Sequence, residues 1–302
     1  MSKAITYTNY GGPEVLTLTE VDTPEPGPGQ VRIKVRAASV NPLDLKIRSG
    51  LMAAARPARF PERPGLDVAG VVEAAGPDAG AAPGDEVFGL AQGGGYAEYA
   101  LLGRPVAKPA GVTFDTAAAL VTVGETAYRG LQQLGVQPGE TLLVHGGGGS
   151  VGIIAVQLAV ARGVTVVTTA AEADLRQLTE LGATAVRYGD GWADRVRAVA
   201  PQGVDRVFDT SGAGVLADSV ALTGDPARVI TIADMAAAEH GVRFSAGSPT
   251  ERAEQALPEL AALADAGKLD VPIGASYPLA DAARAHADIE ARRARGKVIL
   301  LP

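Results

Sequence analysis

A run of glycines between an apolar segment and a helix-like segment constrains this chain more than any other feature. Residues 141–145 are almost wholly apolar, as in a parallel strand buried on both faces, and residues 151–159 have the composition of a helix. Between them, Gly147, Gly149 and Gly152 have the spacing G-x-G-x-x-G. In this context the first glycine makes a tight turn, the second lets the backbone approach a pyrophosphate, and the third lets the helix pack closely. The loop therefore predicts a dinucleotide-binding site, and a plain flexible turn is the alternative interpretation.

After residue 138 the chain alternates between strand-like and helix-like segments. Apolar strands are predicted at residues 164–169, 204–209 and 228–232, and a helix over residues 174–181 is stopped by Gly182. Repeated strand–helix units form parallel sheets with right-handed crossovers. The pattern therefore predicts a doubly wound parallel sheet that carries the glycine loop.

Helices are also predicted outside this alternation. Asp115-Thr116 can cap one helix, and a second helix is expected over residues 124–135. Ser248-Pro249 has the form of a helix start, because proline is favoured in the first turn. A further helix is predicted over residues 258–267, again beginning at a proline.

The beginning of the chain has the periodicity of β-strands. Residues 31–36 alternate apolar and charged side chains, as in a half-buried strand, and further strands are predicted at residues 68–73, 85–89 and 96–100. Glycine and proline separate these strands at short intervals, which favours a barrel-like or sandwich-like β domain. The final segment, residues 296–301, is a predicted strand that we expect to return to this first domain.

Composition excludes several classes of function. The 302 residues include no cysteine, which excludes disulfide-stapled scaffolds and zinc sites with thiolate ligands. A formal charge of −7, from 27 Lys+Arg against 34 Asp+Glu, argues against a general binder of nucleic acids or anionic membranes. No segment approaches the ~20 apolar residues that span a bilayer, and the first residues are typical of a strand, not of a signal peptide. We therefore expect a cytoplasmic protein whose partner is a small molecule.

The strand after the glycine loop bears on the choice between NAD and NADP. NAD sites usually carry an acidic residue at the end of this strand, where it binds the ribose 2′-hydroxyl. Here the strand ends at Thr169-Ala170, with no carboxylate, and Arg176 and Arg187 are candidate partners for a 2′-phosphate. Glu172 and Asp174 lie nearby in the sequence, and their negative charges argue against a 2′-phosphate there. The sequence favours NADP(H), with a solvated surface role as the alternative for Arg176.

Short motifs through essentially the whole chain resemble those of one enzyme superfamily. They are, in order, Ala38–Asp44, Arg48–Gly50, Pro64–Val72, Pro83–Val87, Gly95–Tyr99, Glu125–Tyr128, Val144–Gly152, Gln157–Ala159, Leu181–Ala183, Phe208-Asp209 and Gly296–Val298. Their order and spacing resemble the medium-chain dehydrogenase/reductase superfamily. Within it, the chain is most similar to the zinc-free quinone oxidoreductases related to zeta-crystallin.

The resemblance implies an α/β fold that combines a GroES-like β-rich domain with a Rossmann doubly wound parallel sheet. The GroES-like catalytic domain would span residues 1–115 and be completed by residues 270–302. The Rossmann NADP-binding domain would span residues 116–269. The resemblance also implies a nicotinamide cofactor in the cleft between the domains and a homodimer joined through the Rossmann sheets.

The resemblance allows the zinc ligands of related alcohol dehydrogenases to be compared position by position. A cysteine stands in those enzymes where this chain has Asn41, a His-Glu pair where it has Leu66-Asp67, and a second cysteine at about Thr122. Amide, aliphatic and hydroxyl side chains do not supply a thiolate and imidazole set. The three histidines, His145, His240 and His286, are expected in structural or surface positions. We therefore expect no catalytic metal.

The resemblance also implies which residues contact the cofactor and the substrate. The cofactor contacts that it adds to the three glycines, the strand end and Arg176 are Asn41, Thr126, Ser150, Val151, Tyr188, Thr210, Ser211, Ile232, Ala233, Phe244 and Lys297. The catalytic candidates are Asn41, near the nicotinamide ribose or the substrate, and Met52, in the substrate pocket. Met52 stands where relatives often carry a tyrosine, and packing alone is the alternative role for it.

Without a metal, hydride must pass to an acceptor that is already electrophilic. The first hypothesis is therefore an NADPH-dependent, zinc-independent oxidoreductase that transfers hydride to a quinone or a related electron-poor carbonyl. A reductase of enal, enone or enoyl-thioester double bonds would use the same residues. An NADPH-binding crystallin-like or redox-sensing protein with little turnover, and a degenerate Rossmann protein that binds no nucleotide, are the remaining alternatives.

Overall fold

A computed structural model describes residues 1–248 and 250–302 of the chain. By compactness the chain divides into unit 1, which comprises Met1–Thr122 and Leu257–Pro302, and unit 2, which comprises Val123–Ala256. The domain boundaries predicted from the sequence, after residues 115 and 269, differ from this division and stay a prediction. The predicted helix start at Ser248-Pro249 includes Pro249, which lies outside the described residues.

The secondary structure follows the chain in this order. The strands are β1 Ser2–Thr6, β2 Thr17–Val21, β3 Val31–Val40, β4 Asp67–Ala75, β5 Glu86–Gln92, β6 Tyr99–Leu102, β7 Val106–Ala107, β8 Thr141–His145, β9 Thr165–Ala170, β10 Thr184–Arg187, β11 Arg206–Asp209, β12 Val229–Thr231, β13 Arg243–Phe244, β14 Ile273–Pro278 and β15 Lys297–Leu301. The α-helices are α1 Pro42–Arg48, α2 Phe114–Leu134, α3 Ser150–Ala161, α4 Leu175–Glu180, α5 Trp192–Val199, α6 Leu216–Thr223, α7 Ala256–Asp265 and α8 Ala282–Glu290. Short 3-10 turns lie at Pro13–Val15, Glu172–Asp174, Pro226–Arg228, Ala237–His240 and Leu279–Asp281.

In unit 1, four antiparallel strands close into a small barrel. β3 pairs with β4, β4 with β5, β5 with β6, and β6 returns to pair with β3. Val31, Ile33 and Val35 of β3 are buried while the charged residues between them point outward, which confirms the predicted alternation. β15 pairs antiparallel with β3, so the final strand returns to the first part of the chain as predicted. Closure leaves β3 to β6 without a free edge.

In unit 2, six parallel strands form one sheet in the order β10-β9-β8-β11-β12-β13. Numbered within the sheet, this is the order 3-2-1-4-5-6 of the dinucleotide-binding Rossmann fold. The strands predicted at residues 141–145, 164–169, 204–209 and 228–232 are all present. The doubly wound parallel sheet is therefore confirmed.

The helix before this sheet differs from the prediction. The two helices expected at residues 115–120 and 124–135 form a single helix, α2, so that prediction was wrong. A glycine inside a helix costs about 1 kcal/mol relative to alanine, which packing can offset. Here Ala127 and Leu131 are buried, and a Cβ at Gly130 would overlap the ring of Phe208. The helix therefore continues through its glycines because its faces are buried.

Candidate functional site

The glycine loop connects the carboxyl end of β8 to the first turn of α3. Gly146 has a φ of +78°, in the left-handed region that favours glycine. The N–H groups of Gly146 and Gly147 both donate to Thr169 O in the neighbouring strand (3.1 Å each), which fixes the turn against β9. At Gly152 a Cβ would overlap Gly146 O, so only glycine allows α3 to begin this close to the loop. The close packing predicted at Gly152 is present, and the left-handed position of the turn is Gly146, one residue before the Gly147 predicted from the sequence.

The first turn of α3 supplies the groups that a pyrophosphate needs. Gly149 precedes the helix with an extended backbone (φ −78°, ψ 163°), and Ser150 and Val151 form the first helical positions. Their N–H groups have no partner within the helix and lie at the positive end of its dipole. At Gly147 a Cβ would overlap Thr168 Oγ1, so the loop also has no room for a side chain on its strand side. These residues fit a dinucleotide phosphate.

The sheet order gathers the other predicted cofactor residues of unit 2 at one edge. β8 lies between β9 and β11, at the point where the strand order reverses, and ligands bind outside the carboxyl ends of strands there. Thr169-Ala170 end β9, Thr210-Ser211 follow β11, and Ile232-Ala233 follow β12. Because all three strands are parallel, these pairs lie at the same edge as the glycine loop.

His145, at the end of β8, is held inside the sheet. Its Nδ1 lies 3.0 Å from Thr169 Oγ1 and its Nε2 lies 3.2 Å from Ser219 Oγ, while the ring packs edge-on against Trp192. Burial lowers the pKa of His145 to about 4, so the imidazole is neutral at pH 7. The side chain therefore has the structural role that the sequence predicted.

The region beyond β9 contains the residues predicted to select NADP. Tyr188 N donates to Ala170 O (3.0 Å), so Tyr188 lies beside the end of β9 with its side chain 59% exposed. Arg176 is 90% exposed and pairs with Glu180 (2.8 Å), one helical turn away. The Asp174 carboxylate lies so close to Gly148 that a Cβ there would overlap it. The strand end therefore carries no carboxylate, but an acidic side chain lies beside the loop.

Thr126 is connected to Ser245, the residue after Phe244, by an arginine that was not identified from the sequence. Arg129 is buried on α2, pairs with Glu125 (3.0 Å) and donates to Thr126 Oγ1 (3.4 Å). It also donates to Ser245 Oγ, immediately after Phe244. Arg129 therefore joins α2 to β13.

In unit 1, the residues at the positions of the zinc ligands form a buried hydrogen-bonded cluster. Asn41 Nδ2 donates to Asp67 Oδ2 (2.8 Å), and Lys297 Nζ donates to Asn41 Oδ1 (2.7 Å). Thr122 Oγ1 and Ser39 Oγ donate to the two oxygens of Asp67, at 2.6 and 2.9 Å. Because Lys297 has only donors and Asp67 only acceptors, the orientation of the Asn41 amide is fixed.

These residues do not fit a zinc ion. Leu66 offers no ligand atom, and the Asn41 oxygen and both Asp67 oxygens already accept hydrogen bonds. The ammonium of Lys297 stands where a cation would have to approach Asn41. Within residues 1–248 and 250–302, no group of three or more His, Asp or Glu side chains could hold a metal ion. The absence of a catalytic metal stays a prediction, and the chemistry of these four side chains favours that prediction.

Asp44 lies next to this cluster and is fully buried. Its Oδ2 accepts hydrogen bonds from Asn41 N (2.8 Å) and from Tyr96 Oη (3.2 Å). Burial, and next the charge of Asp67, raise the pKa of Asp44 to about 7, while the Asn41 hydrogen bond and Lys297 act in the opposite direction. Burial lowers the pKa of Lys297, and both carboxyls oppose that shift. A large fraction of Asp44 carboxyl groups is therefore protonated near neutral pH.

The hydroxyl of Tyr96 also belongs to a second series of polar contacts, most of it buried. Tyr96 Oη lies 3.3 Å from His286 Nε2, His286 Nδ1 lies 3.4 Å from Arg48 Nη1, and Arg48 Nη2 pairs with Glu290 (2.5 Å). Burial, and next the charge of Arg48, lower the pKa of His286 to about 3. His286 is therefore neutral, and it is structural as the sequence predicted.

A pocket of about 280 Å³ opens beside Asp44. Its lining includes Tyr7, Arg63 and Leu66, the last of which precedes Asp67 in the chain. Met52, the predicted pocket residue, is half-buried in the turns after α1 and is not part of this lining. Its role in substrate binding stays a prediction.

The buried titratable residues of unit 1 were not identified from the sequence. Asp44 was present in the motif that carried the resemblance, one turn after Asn41, but its burial was not visible there. Tyr96 and His286 pair across 190 residues of sequence, and no local pattern joins them. The one available signal was Asp44 three residues after Asn41, in the capping-box position of a short helix that begins with proline.

Known families match both units. Residues 27–127 match the family described as alcohol dehydrogenase GroES-like domain, and residues 181–300 match the family described as zinc-binding dehydrogenase. A quinone oxidoreductase of Lama guanicoe is 36% identical, over 100% of this chain and 98% of the relative. A 2-methylene-furan-3-one reductase of Solanum lycopersicum is 35% identical, over 99% of this chain and 79% of the relative.

Solved structures agree with these relatives. A mycobacterial quinone oxidoreductase is 33% identical with a TM-score of 0.85, and a mycobacterial protein in complex with NADPH is 33% identical with a TM-score of 0.86. Each covers 100% of this chain and is itself covered completely. No helix of the described residues combines the length and apolar character that crossing a bilayer requires.

The relatives and the solved structures match essentially the whole chain. The chain is therefore an oxidoreductase that belongs to the quinone oxidoreductase family of the medium-chain dehydrogenase/reductase superfamily.

Proposed function

We propose that this protein uses NADPH to transfer hydride, without zinc, to a quinone or a related electron-poor carbonyl. The observation that carries the proposal is the buried cluster at the positions of the zinc ligands in related dehydrogenases, where Asn41 and Asp67 bond to each other and Lys297 donates to Asn41. A carbonyl that is not activated by a Lewis acid must be electrophilic by itself, and quinones are. The bound nicotinamide supplies the hydride.

In this proposal, the residues of the chain bind the cofactor and orient it towards the acceptor. The glycine loop and the first turn of α3 would hold the pyrophosphate, with Ser150 and Val151 as backbone donors. The edge formed by Thr169-Ala170, Thr210-Ser211 and Ile232-Ala233 would receive the rest of the cofactor. Thr126, which Arg129 connects to Ser245, and the neighbouring Phe244 are candidate contacts for the nicotinamide side. Orientation of hydride and acceptor accounts for much of the rate in such a reaction.

The preference for NADPH rests on the end of β9, where no carboxylate opposes a 2′-phosphate, and the mycobacterial relative binds NADPH. Arg176 and Tyr188 are the proposed contacts to the phosphate. Arg176→Ala should raise the Kd for NADPH about tenfold, because one charge-assisted hydrogen bond to phosphate is lost, and leave the Kd for NADH unchanged. Arg197, which pairs with Asp194 on the exposed side of α5, provides a matched control. Equal effects on both nucleotides would remove Arg176 from the phosphate site.

The reaction is tested by following the absorbance of NADPH with a panel of quinones. Substrate-dependent oxidation above background is expected, with NADPH used in preference to NADH. Binding of NADPH without turnover on any substrate would favour the cofactor-holding alternative. Absence of NADPH binding in calorimetry would favour a degenerate Rossmann protein.

The tomato relative favours a second candidate, reduction of an electron-poor carbon–carbon double bond. The same buried residues serve both reactions, because each adds hydride and a proton to a conjugated carbonyl. Mass and NMR analysis of the product separates a hydroquinone from a saturated ketone. We further propose a cytoplasmic homodimer, and light scattering of the purified chain tests the oligomeric state.

A further inference from the structure

The position of the proton on Asp44 follows from the direction of its hydrogen bonds. Arg48 has only donors, so His286 Nδ1 accepts, and a neutral His286 then carries its hydrogen on Nε2 and donates to Tyr96 Oη. The hydroxyl hydrogen of Tyr96 is left for Asp44 Oδ2, which also accepts from Asn41 N. Oδ2 therefore has two donors directed at it. When Asp44 is protonated, the proton resides on Oδ1, which takes part in neither bond.

The pocket beside Asp44 contains donors that the protein does not use. Tyr7 Oη and Arg63 Nε are buried, belong to residues that line the pocket, and have no hydrogen-bond partner among the described residues. Burial, and next the charge of Glu62, raise the pKa of Tyr7 to about 12, so its hydroxyl is neutral at pH 7. A buried donor without an acceptor is destabilising. A carbonyl oxygen bound in the pocket would lie among the residues that carry these donors.

Burial and the charge of Asp67 explain why Asp44 is the group that titrates. Lys297, Tyr96 and the N–H of Asn41 act in the opposite direction, and the charged residues Arg56, Glu62 and Arg63 line the pocket beside Asp44. Asp67 accepts four hydrogen bonds and Asp44 accepts two, so Asp44 has fewer donors to stabilise a carboxylate.

We propose that Asp44 donates the proton that completes the reduction, from Oδ1 to the oxygen of a quinone or enone bound in the pocket lined by Tyr7, Arg63 and Leu66. This role rests on the proposed function. Tyr96, through His286 and Arg48, is a positioning residue that directs the proton to Oδ1.

The step balances. Hydride transfer brings both electrons to the substrate, oxidises the cofactor and leaves a negative oxygen on the substrate. The O–H bond of Asp44 breaks, and its proton forms the O–H bond of the hydroquinone or enol. Asp44 remains as a carboxylate and regains a proton from water entering the pocket. The net reaction consumes one NADPH and one proton for each substrate.

The test compares Asp44→Asn with wild type on two quinones of similar size, 2,5-dimethyl- and 2,5-dichlorobenzoquinone, in single turnovers of the full chain loaded with NADPH. The dimethyl substrate yields the more basic oxygen and needs a proton donor more. General acid catalysis contributes 10²–10⁴-fold, so the variant should slow the dimethyl substrate about a hundredfold. The dichloro substrate should be slowed several times less. Asp85→Asn, at an exposed aspartate, is the control that should change neither rate.

The pH profile supplies a readout that a structural role would not give. The wild-type rate on the dimethyl substrate should fall as the pH rises through about 7, where Asp44 loses its proton, and the rate of Asp44→Asn should lack this step. Equal slowing of both quinones, or a wild-type rate that is flat across pH 6–8, would overturn the role of Asp44 while the proposed function stands. Absence of turnover by wild type would overturn both.

Discussion

Replacing Asp44 by asparagine should change how the stability of the protein depends on pH. The asparagine oxygen can accept from Asn41 N and Tyr96 Oη as Asp44 Oδ2 does, and the amide NH₂ replaces the protonated Oδ1. Asp44→Asn therefore copies the neutral acid and removes only its titration. We expect the variant to fold and to keep the buried hydrogen bonds of α1.

The magnitude follows from the difference between the folded and unfolded pKa. Burial and Asp67 raise the pKa of Asp44 from 3.8 to about 7, so between these values the folded state binds more protons than the unfolded state. Stability from this group is therefore fully present below pH 3.8 and is lost as the pH rises towards 7. At about 1.4 kcal/mol for each pH unit, wild type should lose about 2 kcal/mol between pH 5 and pH 7 through Asp44.

Urea unfolding of both proteins at pH 5, 6, 7 and 8 measures this difference. The free energy of unfolding of wild type minus that of Asp44→Asn should fall by about 2 kcal/mol from pH 5 to pH 7 and change little above pH 7. Contributions from His145 and His286, which are present in both proteins, cancel in the difference. A difference that is constant with pH, or one that rises with pH, would refute the argument that Asp44 is protonated in the folded protein.

Three other substitutions test the remaining parts of the site. Gly152→Val should raise the Kd for NADPH at least tenfold in calorimetry, because its side chain would collide with Gly146 O and displace the phosphate loop. Lys297→Met should lower the free energy of unfolding by about 3–5 kcal/mol at pH 7 in urea, since the charge of Asp67 would lose its buried counterion. Between pH 7 and pH 5, wild type should lose about 2 kcal/mol through His145, whose pKa is about 4 when folded and 6.5 when unfolded, so that the unfolded state binds more protons. His145→Gln should remove that part of the acid dependence in the same unfolding measurements.

The fold was predictable where one local pattern decided the structure. The alternation in β3 and the apolar run of β8 each determine burial within a few residues. β8 was predicted over its observed range, and β3 was predicted over residues 31–36 of the observed strand Val31–Val40. β14 was missed because its sequence, Ile273–Pro278, contains a glycine and a proline and only one β-branched residue, and it is held by pairing with β15 at the end of the chain. α2 was divided wrongly because a glycine is a helix breaker only where packing does not offset its cost.

The glycine loop and the buried cluster of unit 1 differ in the same way, because only the first depends on a local sequence pattern. The glycine loop is a local device, since its turn, its close approach and its helix start lie within a few residues, so the sequence alone predicted it. The buried cluster joins Asn41 to Asp67 across 26 residues and to Lys297 across 256. The resemblance indicated Asn41 and Lys297 as cofactor contacts, and the structure shows their side chains bonded to each other inside unit 1. Whether either also reaches the cofactor stays a prediction.

The charges around Asn41 and Asp67 relate the lack of zinc ligands to the raised pKa of Asp44. A divalent ion would bring two positive charges to the space around Asn41 and Asp67, whereas Lys297 brings one. Burial penalises the charged form of a carboxyl, and the charge of Asp67 adds to this effect at Asp44. The pKa is raised at Asp44, the carboxyl with fewer hydrogen-bond donors. Under the proposed function, a site that holds Lys297 and no metal ion would lack a Lewis acid and would have a Brønsted acid, Asp44, beside the pocket.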